Sequence, residues 1–160
     1  MIREMRESDC SWVLEIYREA IEEGQSTFTT ETPPWPVFNN SHLPYLRYVY
    51  EDEGKILGWV AVARIYSALA YSGYLEESIY VKKSERGKGI GKALLSHLIT
   101  ESEKIGIWGL YGCIFSTNKA SIAMHSSLGF RVIGIRERVA RDRFGAWLDT
   151  TLMERRSTSL

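Results

Sequence analysis

At 160 residues, 44% of them hydrophobic and 12% aromatic, the chain has the size of one ordinary domain whose core needs no covalent staples. Twenty basic and twenty acidic side chains cancel, and they interleave as in Arg136-Glu137-Arg138, so no cationic stripe suited to nucleic acid is present. Two cysteines, Cys10 and Cys113, with no CxxC pair and no His/Cys cluster at zinc spacing, argue against a disulfide framework and a metal site. No apolar run approaches the about 20 residues that span a bilayer, and the charged start Met1 to Arg6 is not a signal peptide, so a cytoplasmic protein without membrane contact is expected.

In chain order, Ile2 to Met5 predicts a short strand, with Ser8 or Asp9 capping the helix that follows. Val13, Ile16, Tyr17, Ala20 and Ile21 recur at helical spacing, and Gly24 is placed to end that helix. Pro33, Pro34 and Pro36 predict a break in regular structure, followed by a poorly patterned stretch to Pro44. Leu46 to Tyr50 and Ile56 to Ile65 flank Asp52-Glu53-Gly54 and predict a hairpin. Tyr74 to Lys82 predicts another strand. A helix then runs from the glycine-rich segment to about Ile105, with Ile90, Leu94 and Leu98 on one face. Trp108 to Phe115 is β-like and Asn118 to Leu128 helical, with Gly129 as C-cap glycine. Val132 to Val139 and Trp147 to Glu154 close the chain as a hairpin. The order predicts one α+β domain with a mixed, mainly antiparallel sheet flanked by helices.

The segment from Ser78 to Lys92 carries the most chemical information. A strand ends, Gly87, Gly89 and Gly91 follow at alternate positions, and an amphipathic helix begins. Glycines allow close backbone approach, and the free N–H groups and dipole of a helix start attract an anion, so a phosphate or pyrophosphate is the expected guest. Arg86, Lys88 and Lys92 add positive charge. Lys92-Ala93 does not match the Lys-Ser/Thr of a P-loop, and G-x-G-x-G is not the dinucleotide fingerprint G-x-G-x-x-G.

Arg86-Gly87-Lys88-Gly89-Ile90-Gly91 resembles the R-x-x-G-x-G/A pyrophosphate loop of the GNAT acetyltransferase superfamily. Asn118 to Ser121 and Leu128-Gly129-Phe130 resemble its asparagine-headed helix and G-F ending. Four segments resemble the phosphinothricin acetyltransferase-like branch: Ser26 to Glu31, Glu76 to Val81, Met124 to Phe130 and Phe144 to Asp149. The resemblance implies a single N-acetyltransferase domain over residues 1–160, with the GNAT fold, acetyl-CoA as cosubstrate and a small-molecule amine as acceptor. It implies that the strands around Tyr74–Lys82 and Trp108–Phe115 splay apart. The pantetheine arm would lie in that gap against the backbone of Ile79, Tyr80 and Val81. The pyrophosphate would rest on Gly87 to Lys92, including Ile90, and Asn118 would touch the arm from the other side.

Acetylation of an amine needs a base for the ammonium proton and donors for the developing oxyanion. The resemblance places the base at Glu76, the first acid of E-x-S-x-Y-V. In a regular strand Glu76, Ser78 and Tyr80 share a face, and Glu77 takes the other. Glu77 is the competing base; an exposed carboxylate in a surface ion pair describes it better than Glu76. The oxyanion donor is expected to be the Ile79 N–H or a neighbour. His125 stands where many members carry tyrosine, as in the phosphinothricin branch. It is either a proton donor or relay, or a histidine packed beneath the cofactor; His97 and His42 are expected to be structural or solvent-facing.

The resemblance draws the acceptor pocket from Phe28 and Thr29 and from the segment Ala63 to Tyr74. Arg64 is a carboxylate-binding candidate or else an edge-strand surface cation. Tyr71, with Phe28 and Trp35, is a candidate aromatic wall. The chain departs from relatives that carry further arginines between Tyr66 and Gly73. The acceptors implied are α-amines of small amino acids or analogues of the phosphinothricin, methionine sulfoximine or sulfone, and arsinothricin type. Protein N-terminal or lysine acetylation and a non-catalytic acyl-CoA-binding module are the alternatives. The resemblance also implies a homodimer, with Trp108, Trp147 and the late strands as interface candidates.

Overall fold

The computed structural model describes residues 1–160. The strands are β1 (Ile2–Glu4), β2 (Tyr48–Asp52), β3 (Lys55–Arg64), β4 (Tyr74–Val81), β5 (Gly109–Phe115), β6 (Arg131–Arg141) and β7 (Trp147–Arg156). The α-helices are α1 (Cys10–Glu23), α2 (Trp35–Ser41), α3 (Ile90–Lys104) and α4 (Lys119–Ser127). The strands form one seven-stranded sheet in the order β1-β2-β3-β4-β5-β7-β6. Every neighbouring pair is antiparallel except β4 with β5, which is the mixed sheet expected from the element order. No helix is long and apolar enough to cross a membrane.

β3 is buried on both faces, which explains its nearly continuous apolar run. Trp59 and Ala61 face α1 and α2, where they pack with Val13, Ile16 and Phe38. Val60 and Val62 face α3 and join Leu75, Leu94, Leu95 and Leu98 in the larger core. Each fully buried leucine there contributes about 1.5–3 kcal/mol. The β2–β3 turn holds Glu53 and Gly54 both at positive φ, 46° and 76°, which suits the twist of a tight hairpin.

Two local expectations are corrected. Asp9 occupies the N-cap of α1, yet its carboxylate accepts from Arg3 and from the Arg6 amide rather than capping the helix. The stretch read as irregular contains α2: Pro36 lies in its first turn, where a missing N–H costs nothing, so proline there starts a helix.

β4 and β5 decide the function of the sheet. They pair only from Tyr74↔Gly109 to Glu76↔Tyr111, after which both strands continue without bonding to each other. The parallel pair therefore opens into a V. The Lys82 amide donates to Leu57 O, and Val62 O accepts from the Leu43 amide instead of turning to β4. Alternation along the antiparallel ladder then points the backbone groups of Glu77, Ile79 and Val81 into the V.

Candidate active site

The larger cavity, about 660 Å³, runs from the glycine loop into the V. Its wall includes Ile79, Val81, Arg86, Gly87, Gly91 and Lys92 on one side and Asn118 on the other. Gly87 and Gly89 stand at φ of 78° and 81°, with open space where a Cβ would be. Backbone conformation, not crowding, requires glycine there. Gly89 is the N-cap of α3, so the first amides of that helix lack intrahelical acceptors and face the cavity. Gly91 answers to packing instead, since a Cβ would meet Met124 Sδ at 3.1 Å. Bare amides, cations and this volume fit the diphosphate and arm of a coenzyme A thioester.

Two of the three loop cations are tethered. Arg86 donates to Glu23 Oε1 at 2.7 Å and to Val81 O at 3.2 Å. Lys88 pairs with Glu85 at 2.7 Å and is not part of the cavity wall, unlike its expected role. Gly87→Ala and Gly89→Ala should each cost about 1–2 kcal/mol in the left-handed region. Calorimetry with coenzyme A should show an affinity loss of about tenfold for each substitution.

The second cavity, about 320 Å³, meets the first at Ser26, Ile79, Tyr80, Asn118 and Ser121. Phe28 and Thr29 are part of its wall: Phe28 packs on Phe115 at 4.4 Å between ring centroids, and Thr29 Oγ1 accepts from Tyr17. Asn118 accepts from the Ser121 amide at 3.3 Å, so it caps α4 while standing at the junction.

Both acids reach this cavity. Glu76 shares its face with Ser78 and Tyr80, as strand alternation predicts, because its register partner Ala63 is in phase with Ala61 and Trp59. Its carboxylate is half-buried. Burial first, then the adjacent Glu77 charge, raises its pKa above the ordinary carboxylate value, and Arg136 partly offsets this.

Glu77 is not the exposed surface acid expected from the sequence. It is 6% exposed, on the α3 face of the sheet, and its Oε1 lies 2.5 Å from His125 Nε2. His125, 1% exposed, has its Nδ1 2.7 Å from Ser121 O. Both ring nitrogens thus face acceptors, which calls for the imidazolium. Burial disfavours that cation, but the Glu77 charge and hydrogen bond and the Ser121 carbonyl outweigh it, and the His125 pKa is raised. His125 lines the second cavity with both nitrogens engaged, Nε2 on Glu77 and Nδ1 on the Ser121 carbonyl. Gly112 makes room for the pair, since a Cβ there would lie 2.7 Å from Glu77 Oε1.

Other sequence candidates lie elsewhere. The Tyr80 backbone belongs to the β3 ladder; its ring packs between Tyr17 and Trp59 at 5.0 Å from each. Arg64 is exposed at the end of β3, an interior strand, and pairs in register with Leu75, which turns it away from the Glu76 face. Tyr71 is exposed and packs on Tyr66 with the rings tilted, and Trp35 stacks on Phe38. Neither Arg64, Tyr71 nor Trp35 walls a cavity described above. Trp108 lies over Gly73 inside the chain, whereas Trp147 is 46% exposed beside Arg138 and Arg141. Gly112, Cys113 and Thr150 also lie near the acids in space but carry no local sequence signature, whereas Ser121 belongs to the asparagine-headed motif.

A splayed parallel pair, a glycine loop opening a helix and a half-buried acid on the splayed strand define an acyl-CoA-dependent transferase. Residues 10–130 match the model of the Acetyltransferase (GNAT) family. The chain belongs to that family and is an acetyl-CoA-dependent N-acetyltransferase. It is 33% identical to the L-methionine sulfoximine/L-methionine sulfone acetyltransferase of Salmonella typhimurium, over 96% of this chain and 92% of that one. It is 32% identical to the phosphinothricin N-acetyltransferase of Alcaligenes faecalis, over 96% and 81%. The crystal structure of a GNAT superfamily phosphinothricin acetyltransferase from Sinorhizobium meliloti in complex with acetyl-CoA superposes with a TM-score of 0.91 at 31% identity, covering 100% of this chain and 91% of that one.

Proposed function

We propose that the protein transfers the acetyl group of acetyl-CoA directly to the α-amine of a small amino acid or amino-acid analogue in a ternary complex. Acceptors of the methionine sulfoximine, methionine sulfone, phosphinothricin or arsinothricin type fit the 320 Å³ cavity beside Glu76. The observation that carries this reading is the junction itself. The cofactor cleft opens into a small acid-bearing cavity at Ile79 and Asn118, so thioester and amine can meet without an enzyme-bound acyl group. The small volume of that cavity, about 320 Å³, favours a small amine over a protein N-terminus or lysine.

Acetyl-CoA supplies the activated acyl carbon. Glu76 takes one proton from the ammonium, leaving nitrogen its lone pair for attack. The N–H groups of Ile79 and its alternate neighbours on β4 donate to the carbonyl oxygen as negative charge gathers there. The second proton that nitrogen loses as the amide forms equals the one the departing thiolate takes up. The balance therefore needs no separate acid, in keeping with the engagement of both His125 nitrogens. The exposed Val132, Ile133, Ile135 and Val139 of edge strand β6 support a homodimer. Zero net charge supports a small-molecule rather than a nucleic-acid partner, and two free cysteines support work in the reducing cytoplasm.

The test is free-thiol release with acetyl-CoA and a panel of amino acids, peptides and analogues; activity confined to peptides would overturn the acceptor class. The pH profile adds a second check. A base with a raised pKa is lost as pH falls through that value, so the acid limb of kcat/KM should lie above the ordinary glutamate value of about 4.3. A limb at or below it would remove Glu76 as the titrating base.

A further inference from the structure

One face of the acceptor cavity has no role in the mechanism above. Phe115, Thr150 and Arg136 are successive register partners across β5, β7 and β6, so their side chains form one row on one face of the sheet. It is the Glu76 face, because Glu76 pairs with Tyr111, which is in phase with Cys113 and Phe115. Thr150 walls the cavity and is 2% exposed, yet its Oγ1 has no hydrogen-bond partner in the protein. A buried hydroxyl left unpaired in this way is unfavourable unless something entering the cavity completes it.

The next residue in the row is a cation with no protein partner. Arg136 is exposed, stands at the rim beside Thr150 without itself walling either cavity, and takes part in none of the chain's ion pairs. β6 bulges directly after it: from Arg136↔Thr150 to Ala140↔Leu148 the chain takes four steps on β6 against two on β7. Arg138 in the bulge has φ of 48°, and its amide donates to Asp149 at 2.7 Å. Such bulges re-aim side chains at the edges of sites. Beyond it the β6–β7 arm is anchored to α1, with Arg143 Nη1 donating to Ile21 O at 2.9 Å. This closes the arm against the helix whose following loop carries Phe28 and Thr29.

We infer that Arg136 and Thr150 are the specificity residues for the acceptor's α-carboxylate, with Arg136 supplying the charge and Thr150 Oγ1 a hydrogen bond. The α-carboxylate lies one carbon from the amine, so the group that binds it must stand near Glu76. Arg136 is the register partner of Thr150, which walls the same cavity as Glu76, and its charge partly offsets the rise in the Glu76 pKa. The role expected of Arg64 thus passes to another strand. This inference rests on the amino-acid acceptor proposed above.

The test compares L-methionine sulfone with its α-carboxamide in wild type, Arg136→Met, Arg136→Lys and Thr150→Val, with melting curves to verify folding. Arg136→Met should raise KM for the acid by about 30-fold or more, as for a lost charge-assisted bond, while changing the amide less than about threefold. Arg136→Lys should recover part of the loss, and Thr150→Val should raise KM for the acid about tenfold. Equal effects on acid and amide, or no effect on either, would overturn the assignment while leaving the acceptor class intact. A folded wild type that acetylates neither compound nor any other amino acid or analogue of the panel would overturn the acceptor class and this inference together.

Discussion

Glu76→Gln is expected to lower kcat by at least about 100-fold while leaving the coenzyme A dissociation constant within about twofold. The amide fills the same space on β4 but cannot take the ammonium proton. Glu76 walls only the acceptor cavity, not the larger cofactor cleft, so binding and chemistry should separate in this variant. Glu77 cannot substitute simply, because its Oε1 is held by His125 at 2.5 Å. Full turnover in Glu76→Gln would remove this carboxylate from the mechanism and direct attention to the buried pair.

His125→Ala should be chiefly a stability variant, losing about 3–5 kcal/mol, because it leaves the Glu77 carboxylate buried without its cation. For a chain of this length that is a fall in Tm on the order of 10 °C. Pairing Glu77→Gln with His125→Ala should recover part of the loss, as both charges are then gone. The pH dependence has a definite sign. The folded-state pKa of His125 is raised, so its contribution is fully present below its unfolded value of about 6.5 and is lost as pH rises through the folded value. The gap in stability between wild type and His125→Ala should therefore narrow at alkaline pH. A gap that widens there would mean that His125 is buried neutral. Gly112→Ala should mimic the loss, since its Cβ would press on the same carboxylate.

What was legible in the sequence was local. The glycine loop announces itself because turn, helix start and charge lie within a few residues, and Gly87 and Gly89 do take the positive φ that such a loop requires. Strand alternation separated Glu76 from Glu77 correctly. What alternation cannot say is what lies beyond each face. Glu77 meets His125 across 48 positions, and only the packing of α4 beneath the V brings them together. Thr150 and Arg136 belong to strands with no catalytic signature, and register alone aligns them with Phe115. Arg64 attracted notice as a cation in the right segment, yet a one-residue difference in phase from Ala63 turns it off the Glu76 face. α2 is masked in the sequence because Pro36 reads as a breaker, although its position in the first turn lets it start a helix.

In the proposed reaction, amine and thioester react directly where the two cavities join. The most direct measurement is intact-protein mass spectrometry after rapid mixing with acetyl-CoA, with and without L-methionine sulfone, alongside quantified coenzyme A release. The protein mass should stay unchanged in both samples, and coenzyme A should appear only with the amine, one equivalent for each N-acetylated product. An acetylated enzyme formed without amine, carried for instance on Cys113 in the acceptor cavity, would contradict direct transfer.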